Sequence, residues 1–341
     1  MPMNSSIFNF KRIPSAFILA LLFIVCCEYG VAKKFGGLFS SHEVDQLVQQ
    51  LKTTRYDVGY VLIGDSVGLQ LSSQYYPDSR FAVLATNQAI EMTGQYFLIQ
   101  RFLERNPPPK AVIFTGLPFI DRDLNQAVTE NFVLRVFTEW REIYEVFLAK
   151  YDLTMMAKTI TYKVLFSYKH KLQMQKKILG YTNADMYSGL DQESAAFTYN
   201  KYSLLKVYRK MKQRGTNSSV FHLGKLLALL QEKGIDFYYI PAPAQQKNNY
   251  AQGEYKKMFS DFFPELERKY SNFLWGKEYK KYPANLFRDF VHFNEEGLVL
   301  ANKVMKEQVY SIMRRYALQK THGASPAVPP LSSAPHKDKA R

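Results

Sequence analysis

The sequence of 341 residues predicts an α/β protein built on a parallel sheet of about five strands. Short apolar runs, each closed by polar, Gly or Pro residues, alternate with longer segments of helical period, which is typical of parallel strands joined by crossover helices. The apolar fraction of 47%, with 15% aromatic residues, suffices for a packed core. The length is compatible with one enlarged domain or two small ones.

Polar residues follow the first predicted strand directly, where residues 58–63 give way to Gly64-Asp65-Ser66. In open α/β sheets, ligands bind at the carboxyl ends of the strands, so a serine at this position is placed for chemistry. The other predicted strands are residues 80–85, 111–115, 235–240 and 272–275. Helices are predicted over residues 90–104, 220–232, 254–270 and 294–316.

The amino-terminal segment has the layout of a signal anchor. Lys11 and Arg12 precede an apolar run over residues 13–27 that Glu28 ends. We expect residues 1–34 to be a signal anchor or transmembrane helix, and Gly30-Val31-Ala32 leaves cleavage open. The basic residues before the run favour a single-pass cell-membrane protein whose main domain faces the periplasm or cell exterior.

Cysteine usage fits this reading. Cys26 and Cys27 are the only cysteines of the chain, and both fall within the apolar run. We interpret them as ordinary apolar residues of the span, since cysteine is commonly buried. No disulfide framework is expected in the main domain.

The formal charge of +15 indicates an anionic partner. Residues 121–217 predict a helical insertion, with long helical segments such as residues 132–147, in a main domain of residues 35–318. Residues 150–215 hold thirteen Lys/Arg against four Asp/Glu. This stretch is either a solvated helix face or a surface for acidic polymer or lipid headgroups. Nucleic acid is not expected, because the body is predicted to be exported and no nucleic-acid motif is visible. Residues 319–341, rich in Pro, Ser and Ala, predict a disordered tail.

Two motifs far apart in the chain form a candidate catalytic constellation. Ser66 is a poor nucleophile until a base takes its proton, and that base works best when a third group fixes its tautomer. Of the six histidines, only His292 has an aspartate, Asp289, three residues earlier and lies just before the final helix. Either motif alone has a structural explanation, as a turn or as a cap. Together they predict Ser66 as nucleophile, His292 as general base and Asp289 as its orienting partner.

The order of these motifs resembles the SGNH/GDSL hydrolase superfamily, in which the serine comes first and Asp-x-x-His last. The resemblance implies a flavodoxin-like three-layer sandwich and covers roughly residues 55–120 and 220–316. Residues 85–95, together with the following helix and Pro-Pro-Lys-Ala-Val-Ile-Phe, are similar to membrane-anchored bacterial members. Those members are associated with acyl modification of cell-surface polymers, including the alginate-acetylation and teichoic-acid D-alanylation types.

The resemblance also implies an oxyanion hole, formed in the family by the nucleophile's backbone N–H, a glycine and an asparagine. The family's Gly-x-Asn-Asp block after strand three is absent here, and Thr115-Gly116-Leu117-Pro118 stands in its place. Asn87 is therefore the candidate amide donor, and Gly94 or Gly116 the candidate backbone donor. This departure puts efficient hydrolysis in question.

Two functions of different class remain open. The first is a membrane-anchored esterase or O-acyltransferase that acts on a surface glycan or related polymer through an acyl-serine, with a membrane-bound acyl-donor protein as a further possible partner. The second is a non-catalytic surface-polymer assembly or glycan-binding protein that keeps the fold. Neither a metal nor an organic cofactor is expected, because the sequence has no Cys/His ligand set and no Gly-rich phosphate loop.

Overall fold

A computed structural model of the chain describes residues 13–35, 43–88, 90–118, 129–150, 152–171 and 217–321. The strands of its main sheet are β1 (Tyr60–Gly64), β2 (Phe81–Val83), β3 (Ala111–Gly116), β4 (Asp236–Pro241) and β6 (Phe273–Trp275). All neighbouring strands of this sheet are parallel, in the order β2-β1-β3-β4-β6. The predicted α/β class and parallel sheet of five strands are confirmed.

A second, smaller parallel pair was not predicted. It consists of β5 (Ala244–Gln245) and β7 (Lys281–Tyr282), and each strand is only two residues long. Strands this short carry no period that a sequence could show. The pair ties the segment after β4 to the segment that leads into the Asp289–His292 loop.

The helices follow the predicted alternation. In the described part of the chain, those that precede β4 are α1 (Ile13–Phe35), α2 (Glu43–Thr53), α3 (Ser66–Ser72), α4 (Glu91–Arg105), α5 (Trp140–Lys150), α6 (Leu153–Val164), α7 (Phe166–Lys169) and α8 (Ser218–Glu232). Those that follow it are α9 (Asn249–Lys257), α10 (Phe263–Lys269) and α11 (Glu295–Thr321). A π-helical turn, Met258–Phe262, joins α9 to α10, so this region forms the single helical stretch that the sequence predicts.

Helices cover both faces of the sheet, as the alternation of side chains along each strand requires. Val61 and Ile63 of β1 belong to a core shared with α2, α4 and α8. Tyr60 and Leu62, which point the other way, belong to a core shared with α3 and α11. A strand that is buried on both faces reads as a continuous apolar run, which is why β1 is visible in the sequence.

The amino-terminal apolar run is helical, as expected. Helix α1 leaves Leu19, Phe23 and Tyr29 largely exposed. Its Glu28 accepts a hydrogen bond of 2.8 Å from the Ser167 N–H and a second one from the Ser167 hydroxyl, which joins α1 to α7. Judged by length and hydropathy, none of the helices in the described part of the chain qualifies as a membrane span.

The predicted helical insertion is described only in part. The helix expected over residues 132–147 is interrupted, because a π-helical turn, Thr129–Leu134, ends before α5 begins at Trp140. Residues 172–216, which hold much of the basic charge of the insertion, lie outside the described residues. At the carboxyl end, α11 runs to Thr321, three residues into the segment predicted as a tail, and the rest of that tail lies outside the described residues.

Candidate active site

The turn from β1 into α3 places Ser66 at the first position of a helix. Asp65 is the residue that caps α3, and its Oδ1 accepts hydrogen bonds of 3.0 Å from the N–H groups of Val67 and Gly68. Burial raises the pKa of the Asp65 carboxyl, while these two backbone hydrogen bonds act in the opposite direction. Asp65 therefore has the structural role that turn chemistry suggests, and its cap does not use the N–H of Ser66.

Two glycines let this turn lie directly against β3. A Cβ atom added to Gly64 or to Gly68 would lie 2.3 Å from the carbonyl oxygen of Thr115. Such a contact is far inside van der Waals distance, and the obstacle is backbone rather than a movable side chain. The two glycines of Gly-Asp-Ser-Val-Gly are therefore required for the close approach of the Ser66 turn to the neighbouring strand.

The structure brings the three predicted catalytic side chains together, although 226 residues separate two of them. His292 Nε2 lies 2.8 Å from Ser66 Oγ. His292 Nδ1 lies 2.8 Å from Asp289 Oδ2. A hydroxyl, an imidazole and a carboxylate joined in this order match the arrangement in which a serine is activated by a histidine whose other nitrogen is held by an acid.

Asp289 also organises the backbone of its own loop. Its Oδ1 accepts hydrogen bonds from the N–H groups of Val291, at 2.8 Å, and of His292, at 2.7 Å. Burial acts to raise the pKa of Asp289, but the hydrogen bonds from the His292 ring and from the two N–H groups prevail and lower it to about 2. Asp289 is thus a carboxylate at neutral pH. Arg288 beside it is 62% exposed, with its Nε 3.9 Å from Asp289 Oδ2.

Neighbouring segments hold the loop from outside. Gln245 Nε2 donates to the carbonyl of Asp289 at 3.2 Å, and Asn248 Nδ2 donates to that of Phe290 at 3.1 Å. An antiparallel bridge joins Phe287 to Phe293 across the base of the loop. The His292 loop is therefore fixed by the β4–α9 connection as well as by its own hydrogen bonds.

Gln95 supports the turn before Ser66 from the opposite face of the sheet, a role that no sequence motif indicated. It is 2% exposed, and its Nε2 donates to the carbonyl of Gly64 at 2.8 Å. The same carbonyl accepts the N–H of Thr86 at 3.2 Å. A buried glutamine on an apolar helix is the one signal that could have identified this residue, because buried amides are normally hydrogen-bonded.

Asn87 lies near the carboxyl edge of the sheet. It follows β2, the neighbour of β1, so its position shares the carboxyl edge with Ser66. Asn87 is exposed, and its N–H donates to Glu43 Oε2 at 3.1 Å, which ties its loop to the start of α2. Its role in an oxyanion hole stays a prediction.

Neither glycine predicted as a backbone donor is placed for that role. The N–H of Gly94 donates to the carbonyl of Ile90 at 2.8 Å within the first turns of α4. The carbonyl of Gly116 accepts the N–H of Ala242 at 3.0 Å, so the polar groups of this strand residue face β4 and not β1. A Cβ atom added to Gly116 would lie 3.0 Å from the ring of Phe114 and 3.3 Å from Asp65 Oδ2.

Another histidine in the described residues, His222, has an environment very different from that of His292. His222 is 0% exposed, and its Nδ1 lies 2.8 Å from the carbonyl of Ser218 and 3.1 Å from Thr93 Oγ1. Burial lowers its pKa to about 4. His222 is therefore a neutral core residue between α4 and α8, whereas His292 is partly exposed and contacts both a hydroxyl and a carboxylate.

Within the part of the chain that the structure describes, no group of three or more His, Cys, Asp or Glu side chains is arranged to hold a metal ion. The side chains that converge at the carboxyl edge of the sheet are those of Ser66, His292 and Asp289.

No protein-family model matches this chain. No curated protein matches it significantly.

Proposed function

We propose that this protein is a serine esterase or O-acyltransferase of the SGNH type. The observation that carries the proposal is the chain of two 2.8 Å contacts from Ser66 through His292 to Asp289. The strand order, in which the first strand lies between the second and the third, is that of flavodoxin-like sheets and supports the resemblance.

The geometry supports the following chemistry. His292 Nε2 takes the proton of Ser66 Oγ as that oxygen attacks the ester carbonyl, while Asp289 stabilises the imidazolium. The ester bond breaks, the leaving alcohol takes the proton from His292, and an acyl-serine remains. Water or an acceptor hydroxyl then attacks the acyl group and gives its proton to His292. The bond between the acyl carbon and Ser66 Oγ breaks, the acid or the new ester leaves, and His292 returns the proton to Ser66 Oγ.

Charge that develops on the carbonyl oxygen needs donors near Ser66. The N–H of Ser66 suits this role because it is a first-turn group of α3 that the Asp65 cap does not use. Asn87, which follows the neighbouring strand, is the proposed second donor. Water as acceptor gives hydrolysis, and a sugar hydroxyl gives transfer.

The amino-terminal segment and the charge of the chain suggest the setting of this reaction. We propose that residues 1–34 attach the protein to the cell membrane and that the main domain faces the periplasm or cell exterior. An anionic or acylated surface polymer is the proposed acceptor, in keeping with the charge of +15. A membrane-bound protein is the proposed acyl donor.

Labelling with a serine-directed fluorophosphonate tests the catalytic proposal. We expect the full chain to be labelled at Ser66, and Ser66→Ala or His292→Ala to abolish the signal, because both side chains are needed to generate the nucleophile. Ser73→Ala is the matched control, since this exposed serine follows the same helix and its hydroxyl donates to the Gln70 carbonyl at 2.9 Å. A folded protein that resists labelling would contradict the proposal.

A second candidate function is a non-catalytic module that binds or assembles surface polymers. The observation that favours it concerns the predicted oxyanion donors, because neither glycine is available for that role. The N–H of Gly94 is bonded within α4, and the polar groups of Gly116 face β4. In that case the folded chain would retain binding to an acetylated acidic polysaccharide after Ser66→Ala, with no turnover in either protein. Loss of activity with unchanged binding in Ser66→Ala would instead favour the enzyme.

The proposed location has its own test. Protease added to intact cells should digest the main domain if it faces outward, after the outer membrane is permeabilised where one is present. A main domain that stays intact under these conditions, but is cut after lysis, would overturn the outward orientation.

A further inference from the structure

Helix α3 and the turn that follows it present three polar side chains at intervals of four residues. Ser66, Gln70 and Gln74 recur with the spacing that places side chains on one face of a helix. Each of them contacts a different point of the carboxyl-terminal part of the chain. Ser66 reaches the ring of His292, Gln70 reaches the backbone beside it, and Gln74 reaches α11.

The contact of Gln70 involves both polar groups of one peptide residue. Its Nε2 donates to the carbonyl of Phe293 at 3.4 Å, and its Oε1 accepts the N–H of Phe293 at 3.2 Å. Phe293 directly follows His292 and is 2% exposed. A side-chain amide that satisfies both groups of a nearly buried residue replaces the pairing that a neighbouring strand would supply.

The contact of Gln74 is similar in chemistry but lies away from the site. Its Nε2 donates to Asn302 Oδ1 at 3.2 Å, in the second turn of α11. Gln74 therefore also joins the nucleophile helix to the carboxyl-terminal segment, but it does not touch the His292 loop. This difference provides a control for effects on folding alone.

We infer that Gln70 is a positioning residue that holds the His292 loop at bonding distance from Ser66, an inference that rests on the proposed function. Helix α3 carries both Ser66 and Gln70, and the amide of Gln70 bonds to the backbone of Phe293, next to His292. The hydroxyl and the amide therefore move together with the helix. The amide does not touch the reacting atoms. It acts through the placement of His292, and a displacement of about 1 Å at such a site can cost about 10²-fold in rate.

The test compares Gln70→Leu with Gln74→Leu in the full chain. We expect Gln70→Leu to lower the maximal rate of fluorophosphonate labelling by about 10-fold to 10²-fold, with little change in the concentration that gives half the maximal rate. Gln74→Leu should lose similar thermal stability and label within about twofold of the parent, because it leaves the His292 loop in place. Equal labelling rates in both variants would overturn the inference.

Hydrogen exchange gives a readout that does not depend on activity. The N–H of Phe293 should exchange faster with solvent in Gln70→Leu and at the parent's rate in Gln74→Leu. Only the first variant removes the acceptor of this N–H. An exchange rate of the Phe293 N–H that is unchanged in Gln70→Leu would overturn the inference that Gln70 holds the loop. If the parent protein is never labelled, the proposed function fails, and the exchange experiment still decides whether Gln70 holds the loop.

Discussion

At the scale of single residues, the two hydrogen bonds of His292 decide which proton its ring can move. The carboxylate of Asp289 only accepts, so the Nδ1 that lies 2.8 Å from it carries hydrogen. Nε2 is then the acceptor that faces the hydroxyl of Ser66 at 2.8 Å. This tautomer is the one that general-base catalysis requires.

The lowered pKa of Asp289 predicts a dependence of stability on pH. Its pKa is about 2 in the folded protein and about 3.9 in an unfolded chain. A carboxylate with a lowered pKa stabilises the fold fully above the unfolded value, and this contribution is lost as the pH falls toward 2. In urea unfolding, the free energy of unfolding should therefore fall less steeply between about pH 4 and pH 2 in Asp289→Asn than in the parent. Parallel pH curves for the two proteins would contradict this assignment.

At the scale of elements, the junction of β1 and α3 is determined by close backbone packing. Helix α3 is only seven residues long and depends on tertiary contacts, because isolated helices of this length are unstable in water. The Asp65 cap satisfies two of its first N–H groups, and Gly64 and Gly68 allow it to approach Thr115. The position of the Ser66 hydroxyl follows from these constraints.

This packing predicts that both glycines are sensitive to the addition of one methyl group. Gly64→Ala and Gly68→Ala should each lower the free energy of unfolding by about 2–3 kcal/mol, because the new Cβ would meet a backbone oxygen. Gly253→Ala is the control, since its Cβ in α9 would meet nothing within 4 Å. That variant should gain up to about 1 kcal/mol from helix propensity. Stabilities of the Gly64 and Gly68 variants equal to the parent's in urea unfolding would refute the packing argument.

At the scale of the whole molecule, a buried ion pair joins α5 of the predicted insertion to the sheet-covering helix α4. Arg101 Nε and Nη2 donate to the two carboxylate oxygens of Glu142 at 2.7 and 2.9 Å, and both residues are under 10% exposed. A second pair, Arg141 with Glu104, joins the same helices at 3.2 Å but is more than half exposed. Helix α5 is therefore attached to the main domain through an interface with a desolvated centre.

The two ion pairs predict very different losses in the free energy of unfolding when the arginine is replaced. Arg101→Met should lower the free energy of unfolding by about 3–5 kcal/mol, because it leaves the Glu142 carboxylate buried without its partner. Arg141→Met should cost less than about 1 kcal/mol, because water screens the exposed pair. Chemical denaturation of the two variants measures this difference, and similar losses would mean that Glu142 is more hydrated than its burial indicates.

Local patterns predicted most of the sheet and the three residues that the structure brings together, Ser66, His292 and Asp289. The five main strands lie within two residues of their predicted positions at each end, because a strand buried on both faces is a continuous apolar run. The interruption between Leu134 and Trp140 was missed, since the apolar period continues across it. The roles of Gly94 and Gly116 could not be read either, because the bonding of a backbone N–H depends on neighbours and not on residue type.

The sequence by itself determined which residues are the catalytic candidates: a serine after a buried strand, and a histidine with an aspartate three positions before it. These features are local, because strand burial and motif spacing depend only on residues that are close together in the sequence. Only the tertiary structure decided that Ser66 and His292 lie 2.8 Å apart, and that Gln70 and Gln95 support them. The physical reason is that a hydrogen bond across 226 residues depends on how the sheet, α3 and the last loop pack together, and no local period encodes that packing.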